Sequence, residues 1–251
     1  MKHQHIVFAA LIGLASLTSC DKLGGGPGDL TIHFGAVVHD QDVSFDTEKY
    51  YMPQTGDSIG YSRVDMILSG LELLDEDGEV VATFPDNYQY ISLNGNPIST
   101  AWEFNDVIPR KRIASMRFYI GPDSIANHGD PSLWPAGHAL NPTVCGLHWG
   151  WAGGYVFAAL EGSYRNDSTD ALWLYHIGFN ENRMEINIPL DGGKFNRKQE
   201  LTLHVNLDEL FQGPNTIRPD VNGNSSHSMN DGGLAASVGE NLEQAFTLAI
   251  P

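Results

Sequence analysis

The segment Cys145-Gly146-Leu147-His148-Trp149-Gly150-Trp151-Ala152-Gly153-Gly154-Tyr155 gathers two of the five tryptophans, one of the ten histidines and one of the two cysteines of the chain. Those residue types ligate metals, move protons or lose electrons. In an extended backbone, residues two apart share a face, which would set Trp149 beside Trp151. Gly153-Gly154 lets the chain turn where a side chain would not fit. Two readings stand: a rigid aromatic pocket flanked by an imidazole, or a tryptophan pair plugging the end of a β-sandwich. Cys145 fits three roles, namely a small buried hydrophobe, a soft metal ligand or a redox-active thiol.

The other histidines are sorted by strand parity. His33 lies opposite Leu30, Ile32 and Phe34, and His204 lies opposite Leu201, Leu203 and Val205. Each imidazole is thus on a non-aliphatic face, and the two can meet if their strands are neighbours. His176 shares parity with Leu172 and Leu174, which predicts a hydrogen-bonded core histidine. His227 and Met229 sit in a polar segment, where a thioether could add a soft ligand or simply face solvent. Asp130 and Glu161 are possible acids or bases, but no second carboxylate stands at a useful spacing. No nucleophile elbow, phosphate-binding loop or dinucleotide fingerprint is present. The Asp220-Val221-Asn222-Gly223-Asn224 stretch lacks the glycine position and distal glutamate of a calcium loop. A binding protein is therefore expected, not an enzyme.

These residues must be carried by strands. Alternation or short apolar runs predict them over 30–34, 63–69, 88–93, 102–107, 112–120, 155–164, 171–179, 184–190, 200–206 and 245–250. The 73–81 stretch reads as a hairpin, with Asp75-Glu76-Asp77-Gly78 at its turn. Residues 208–211 suggest one helical turn and 234–243 a short helix. Residues 121–143 break the pattern, contain three prolines between 131 and 142, and read as a long functional loop. The expectation is an all-β fold: an antiparallel β-sandwich with long loops and one or two short helices.

With 251 residues and 41% hydrophobic content, the chain can bury a full core. A net charge of −17 argues against a nucleic-acid partner. The N-terminus starts basic and continues with an apolar run over 6–17, too short to span a bilayer but suited to a signal peptide. It ends in Leu17-Thr18-Ser19-Cys20, which resembles a bacterial lipobox, in which Cys20 is acylated and anchors the protein to a membrane. The expected organisation is a signal peptide over 1–19, a glycine-rich tether over 20–29 and one domain over 30–251, held in the bacterial cell envelope on its periplasmic or outer-membrane face.

Ile120-Gly121-Pro122-Asp123, Asn127-His128-Gly129-Asp130-Pro131, His148 through Phe157, Leu160-Glu161-Gly162 and Tyr175-His176-Ile177-Gly178 together resemble the MbnP family of copper-binding proteins. The likeness extends from Leu30 to Ile250 and takes in Val205-Asn206-Leu207-Asp208 and Phe246-Thr247-Leu248. It implies an extracytoplasmic β-protein in which a partner di-haem enzyme, of the MauG or cytochrome c peroxidase type, oxidises a tryptophan to kynurenine. The kynurenine amine and two histidines then bind copper. Trp149 or Trp151 is the residue this would modify. The resemblance does not place the histidines, so parity selects His33 and His204, with His148 as a third candidate because it adjoins the tryptophans. The alternative is a surface lipoprotein that binds carbohydrate or protein without metal, using Trp102, Trp134 and Trp173 as a platform.

Overall fold

Leu30, Ile32 and Phe34 alternate with Thr31 and His33 in sequence, and in the computed structural model the first three are buried while the other two are partly exposed. The structure describes residues 26–46, 49–51, 58–94, 101–150, 153–229 and 231–249. The leader, Cys20 and Trp151 lie outside them.

In chain order the strands and helices begin with β1 (Gly28–Val38), β2 (Gln41–Asp42), β3 (Ser58–Leu74), β4 (Val80–Ser92), β5 (Ala101–Ile108) and β6 (Ser115–Ile120). Helices α1 (Ser124–His128) and α2 (Pro142–Cys145) follow, then β7 (Val156–Arg165), β8 (Asp170–Gly178), β9 (Met184–Pro189) and β10 (Lys198–Asn206). The chain continues through α3 (Glu209–Gln212), α4 (Pro219–Asn222), β11 (Ser225–Ser226), α5 (Leu234–Gln244) and β12 (Phe246–Leu248).

These strands form an all-β sandwich of two sheets. The first runs β12-β10-β1-β2, with β5 also pairing with β1. The second runs β11-β8-β7-β3-β6-β9, with β4 pairing with β3. Most pairs are antiparallel, but β1 pairs with β10 in parallel, as does β11 with β8. Strand β3 is the spine of the larger sheet. Its first half pairs with β7 and its second with β6, and the register shifts around Gly70, whose φ is +63°. A shift of that kind bends the strand locally.

The sheets meet through aromatic rings. Phe118 of β6 packs edge-on against Phe34, Trp102 and Phe246 from the opposite sheet, at centroid distances of 6.4, 6.1 and 5.7 Å. A second cluster joins Tyr61, Trp173, Tyr175 and Phe211. Rings dominate the core because each removes a large apolar area from water. Helix α5 buries Leu234, Val238 and Leu242 and packs against β8 and β9.

The 121–143 stretch is organised by caps. Asp123 accepts the amides of Ile125 and Ala126, Asp130 that of Ser132, and Asn141 that of Thr143. Each carboxylate or amide oxygen satisfies donors that a one-turn helix leaves open. The stretch expected as one long loop is therefore a chain of capped single turns leading into the tryptophan segment.

Candidate metal centre at Trp149

The Trp149 segment closes on itself. Trp149 N donates to Gly154 O at 2.9 Å, Gly154 N to Gly150 O at 3.0 Å, and Val156 N to Leu147 O at 2.7 Å. Gly154 sits at φ +66°, and a Cβ there would lie 2.4 Å from Asn127 Oδ1. That oxygen accepts the Tyr155 amide at 2.8 Å, while Asn127 Nδ2 donates to Asn180 Oδ1 at 2.9 Å. Asn127 is fully buried, so it rivets the tryptophan turn to α1 and to the turn after β8. Trp149 rests against the backbone of Gly178, where a Cβ would come within 3.0 Å of the indole.

Three rings surround the Trp149 indole: His176 at 6.3 Å, His227 at 5.9 Å and Phe179 at 6.1 Å between centroids. The two imidazoles are 5.2 Å apart. Phe179 holds φ +66° without being glycine, a conformation that the surrounding structure must enforce. His176 comes from the outer face of β8. His227 follows β11, which adds to β8 in parallel, and Ser228 fastens it there: Gly178 N donates to Ser228 Oγ at 2.9 Å, and that hydroxyl donates to His176 O at 3.0 Å. Trp149 is 37% exposed, whereas Trp102 and Trp173 are each 1% exposed. Trp149 is therefore far more accessible to solvent than the core tryptophans.

His176 Nε2 lies 2.9 Å from Glu161 Oε1. A carboxylate only accepts, so Nε2 carries a proton, and in the neutral imidazole Nδ1 is the nitrogen left free to ligate. Burial would raise the pKa of the Glu161 carboxyl, but hydrogen bonds from His176 and Arg63 outweigh it and hold the carboxyl below its ordinary range.

The residues expected from sequence fall in several places. Parity put His33 and His204 on one outer face, and β1 and β10 are indeed neighbours, with Gly35 opposite His204 and His33 opposite Thr202. Neither imidazole has a side-chain hydrogen bond or ring contact among the described residues. His148 is not with them: it bridges to Tyr155, its ring stands edge-on to that phenol at 4.7 Å, and its Nδ1 accepts the Gly150 amide at 3.0 Å. The lone pair a metal would need is thereby occupied, and burial also makes this imidazole harder to protonate. Among the described residues no three His, Cys, Asp or Glu side chains form a group able to hold a metal, so His33, His148 and His204 do not converge. Trp151 and Cys20 lie outside the described residues.

The His176 expectation is corrected. Leu172 and Leu174, which share its parity, face outward, and Leu172 is 71% exposed. Trp173, Tyr175 and Ile177 fill the core instead. Cys145 is buried, its thiol directed at Asn141 O and made less acidic by burial. Asp130 caps its turn. The tryptophan platform is also corrected, since Trp102 and Trp173 are core residues. Trp134 stacks on His138 at 4.3 Å and, with Tyr88 and Tyr119, lines a cleft of about 770 Å³.

The MbnP family model matches residues 27–229. The chain belongs to the MbnP family. The matched region takes in Trp149, His176, His227 and Glu161, and ends before α5 and β12. Among solved structures the chain is similar to MbnP from Methylosinus trichosporium, with a TM-score of 0.52 and 15% identity over 75% of this chain and 78% of that one. At that identity the likeness to MbnP concerns the fold. Comparison with curated proteins gives no match.

Proposed function

We propose that this MbnP-family protein is an extracytoplasmic copper-binding protein whose site is built from Trp149, His176 and His227, with Trp149 as the residue oxidised to kynurenine. The observation that carries the reading is the accessible Trp149 indole framed by two imidazoles 5.2 Å apart. Imidazole nitrogen suits copper, and a metal-bound histidine commonly hands its other N–H to a carboxylate, as His176 does to Glu161. The donor set present fits copper in part only. The indole nitrogen has its lone pair in the ring and is a poor ligand, so the third position needs ring opening.

Cleavage of the indole C2–C3 bond with entry of two oxygen atoms, supplied by two peroxide equivalents that leave as water, yields formylkynurenine. Hydrolysis then releases the formyl carbon as formate and frees an aryl amine. A di-haem enzyme of the cytochrome c peroxidase or MauG type is the partner class that family resemblance supplies. Bound copper would supply a redox-active, thiophilic cation for storage or transfer. In this chain Gly178 and Phe179 seat the ring, the Gly154–Asn127 rivet fixes the turn, and Ser228 sets the His227 segment against β8.

The reading also includes acylation at Cys20, with 1–19 as signal peptide, 20–29 as tether and 30–251 as the binding domain in the cell envelope. Peptide mass spectrometry of protein made with its oxidase should find the Trp149 peptide changed by one oxygen gained and one carbon lost. Unmodified Trp149 in such protein, with Cu(I) affinity no better than that of a His176→Ala variant, would overturn the proposal. Labelled fatty acid that fails to enter the protein, or enters equally after Cys20→Ser, would remove the anchor.

A further inference from the structure

The two imidazoles that frame Trp149 are held differently. His227 is exposed, and its side chain has no hydrogen bond among the described residues. His176 is the end of a charged chain that crosses three strands of the larger sheet. Asp65 on β3 accepts Arg63 Nε at 2.5 Å, Arg63 Nη1 donates to Glu161 Oε1 on β7 at 2.9 Å, and the same oxygen takes His176 Nε2 on β8 at 2.9 Å. The ladder register explains why they meet. Arg63 and Glu161 are directly paired across β3 and β7, and His176 and Asp65 both pair with Ala159, two residues along β7 on the same face. The Ala159 methyl leaves the space above it to the longer side chains on either side.

A neutral imidazole carries one proton, and a free histidine places it on either nitrogen. A carboxylate at one nitrogen removes that choice, and Glu161 cannot rotate away while Arg63 grips it. Asp65 is 3% exposed, so the far end of the chain is anchored in the protein. We infer that Glu161 is a positioning residue for metal capture: it fixes His176 as the Nε2–H tautomer with Nδ1 bare, and the Asp65–Arg63 pair fixes Glu161. The inference rests on the reading of Trp149, His176 and His227 as the copper site. It makes His176 the preset ligand and leaves His227 as the one that adjusts on binding.

The test compares the full chain with Glu161→Ala, Glu161→Gln and Arg63→Met variants, all in the same Trp149 modification state. Nitrogen-15 NMR of the metal-free proteins reads the His176 tautomer directly. Competition with a chromophoric chelator reads Cu(I) affinity. The expected wild-type signal is a single Nε2–H tautomer, with mixed tautomers in Glu161→Ala. Glu161→Gln should restore the wild-type tautomer, because its amide oxygen still accepts the proton. Affinity should fall about 10–100-fold in Glu161→Ala, the usual loss when an orienting partner of a metal-bound histidine is removed, and less in Glu161→Gln. Arg63→Met keeps Glu161 in place chemically but loosens it, and should give an intermediate loss.

A wild-type N–H on Nδ1, or an unchanged tautomer in Glu161→Ala, overturns the inference. So does a Glu161→Ala affinity within about twofold of wild type while His176→Ala has lost binding. If the wild-type protein itself fails to bind Cu(I), the copper reading falls, and the tautomer measurement still decides whether Glu161 sets the nitrogen.

Discussion

Two pairs of imidazoles among the described residues are placed by neighbouring strands, and they differ in what surrounds them. His33 and His204 stand on the neighbouring strands β1 and β10, on the outer face of the smaller sheet. Nothing among the described residues orients either ring, and no aromatic ring stacks on them. His176 and His227 stand where β11 joins β8, with Trp149 and Phe179 against them and Glu161 behind one of them. Neighbouring strands underlie both pairs, but among the described residues only His176 and His227 are in ring contact with each other and with an oxidisable ring, and only there does a carboxylate orient an imidazole. A metal site needs ligands held by a supporting shell, and that shell is what separates the two pairs.

The sharpest way to break the comparison is to delete each pair. His176→Ala with His227→Ala should lower Cu(I) affinity by at least about 100-fold, more than loss of a single orienting group. His33→Ala with His204→Ala should leave it unchanged. Chelator competition on the full chain reads both, and equal losses in the two double variants would erase the distinction drawn between them.

Next in size is the backbone beneath the tryptophan. Gly154→Ala forces a side chain onto φ +66° and drives its Cβ against Asn127 Oδ1, 2.4 Å away. Strain at such a backbone costs about 1–3 kcal/mol, and displacement of the Asn127 oxygen would strand the buried Tyr155 amide as well. Urea unfolding should show a loss of about 2 kcal/mol or more, with the tryptophan emission of the folded protein altered. A loss under about 0.5 kcal/mol would mean that the turn is not riveted.

Much of this arrangement was legible in the sequence, for a physical reason. A strand with one buried face must alternate, so β1, β6, β9 and β10 announce themselves, as does the Asp75–Gly78 hairpin. Alternation also put His33 and His204 on their outer faces. Pairing carries no such local signal: nothing near residue 30 says that β1 lies parallel to β10. His176 departs from the parity of Leu172 and Leu174 as core residues because Trp173 and Tyr175 bury more area and claim the core side of β8. His227 depends on β11, two residues long, too short for any period to show. The capped turns of α1 and α2 are likewise shorter than one helical repeat of apolar residues. Family resemblance marked Trp149 and its glycines, and the glycines are the part of that motif whose steric necessity the structure makes plain.

A smaller effect comes from acid. The Glu161 carboxyl sits below its ordinary value of 4.5 because His176 and Arg63 donate to it, despite opposing burial. A depressed folded value stabilises the native state fully above the unfolded value, and this contribution is lost as pH falls through the folded one. The group is partly solvated, so the amount is about 1 kcal/mol or less. Urea unfolding between neutral and acid pH should show a component of acid destabilisation that Glu161→Gln flattens. An identical pH dependence in the variant would detach Glu161 from the network.

The smallest expected change has the opposite sign and comes from the other sheet. Gly35 lies directly opposite His204. Unlike Gly154, it has no left-handed backbone, and a Cβ there would meet His204 Cδ2 at 3.5 Å, an ordinary contact. A glycine inside a strand is less stable than alanine by roughly 0.5–1 kcal/mol when nothing demands it. Gly35→Ala should therefore leave stability unchanged or raise it by about that amount, and leave copper affinity alone. A destabilisation of more than about 1 kcal/mol would show that the backbone under His204 is under a demand of its own.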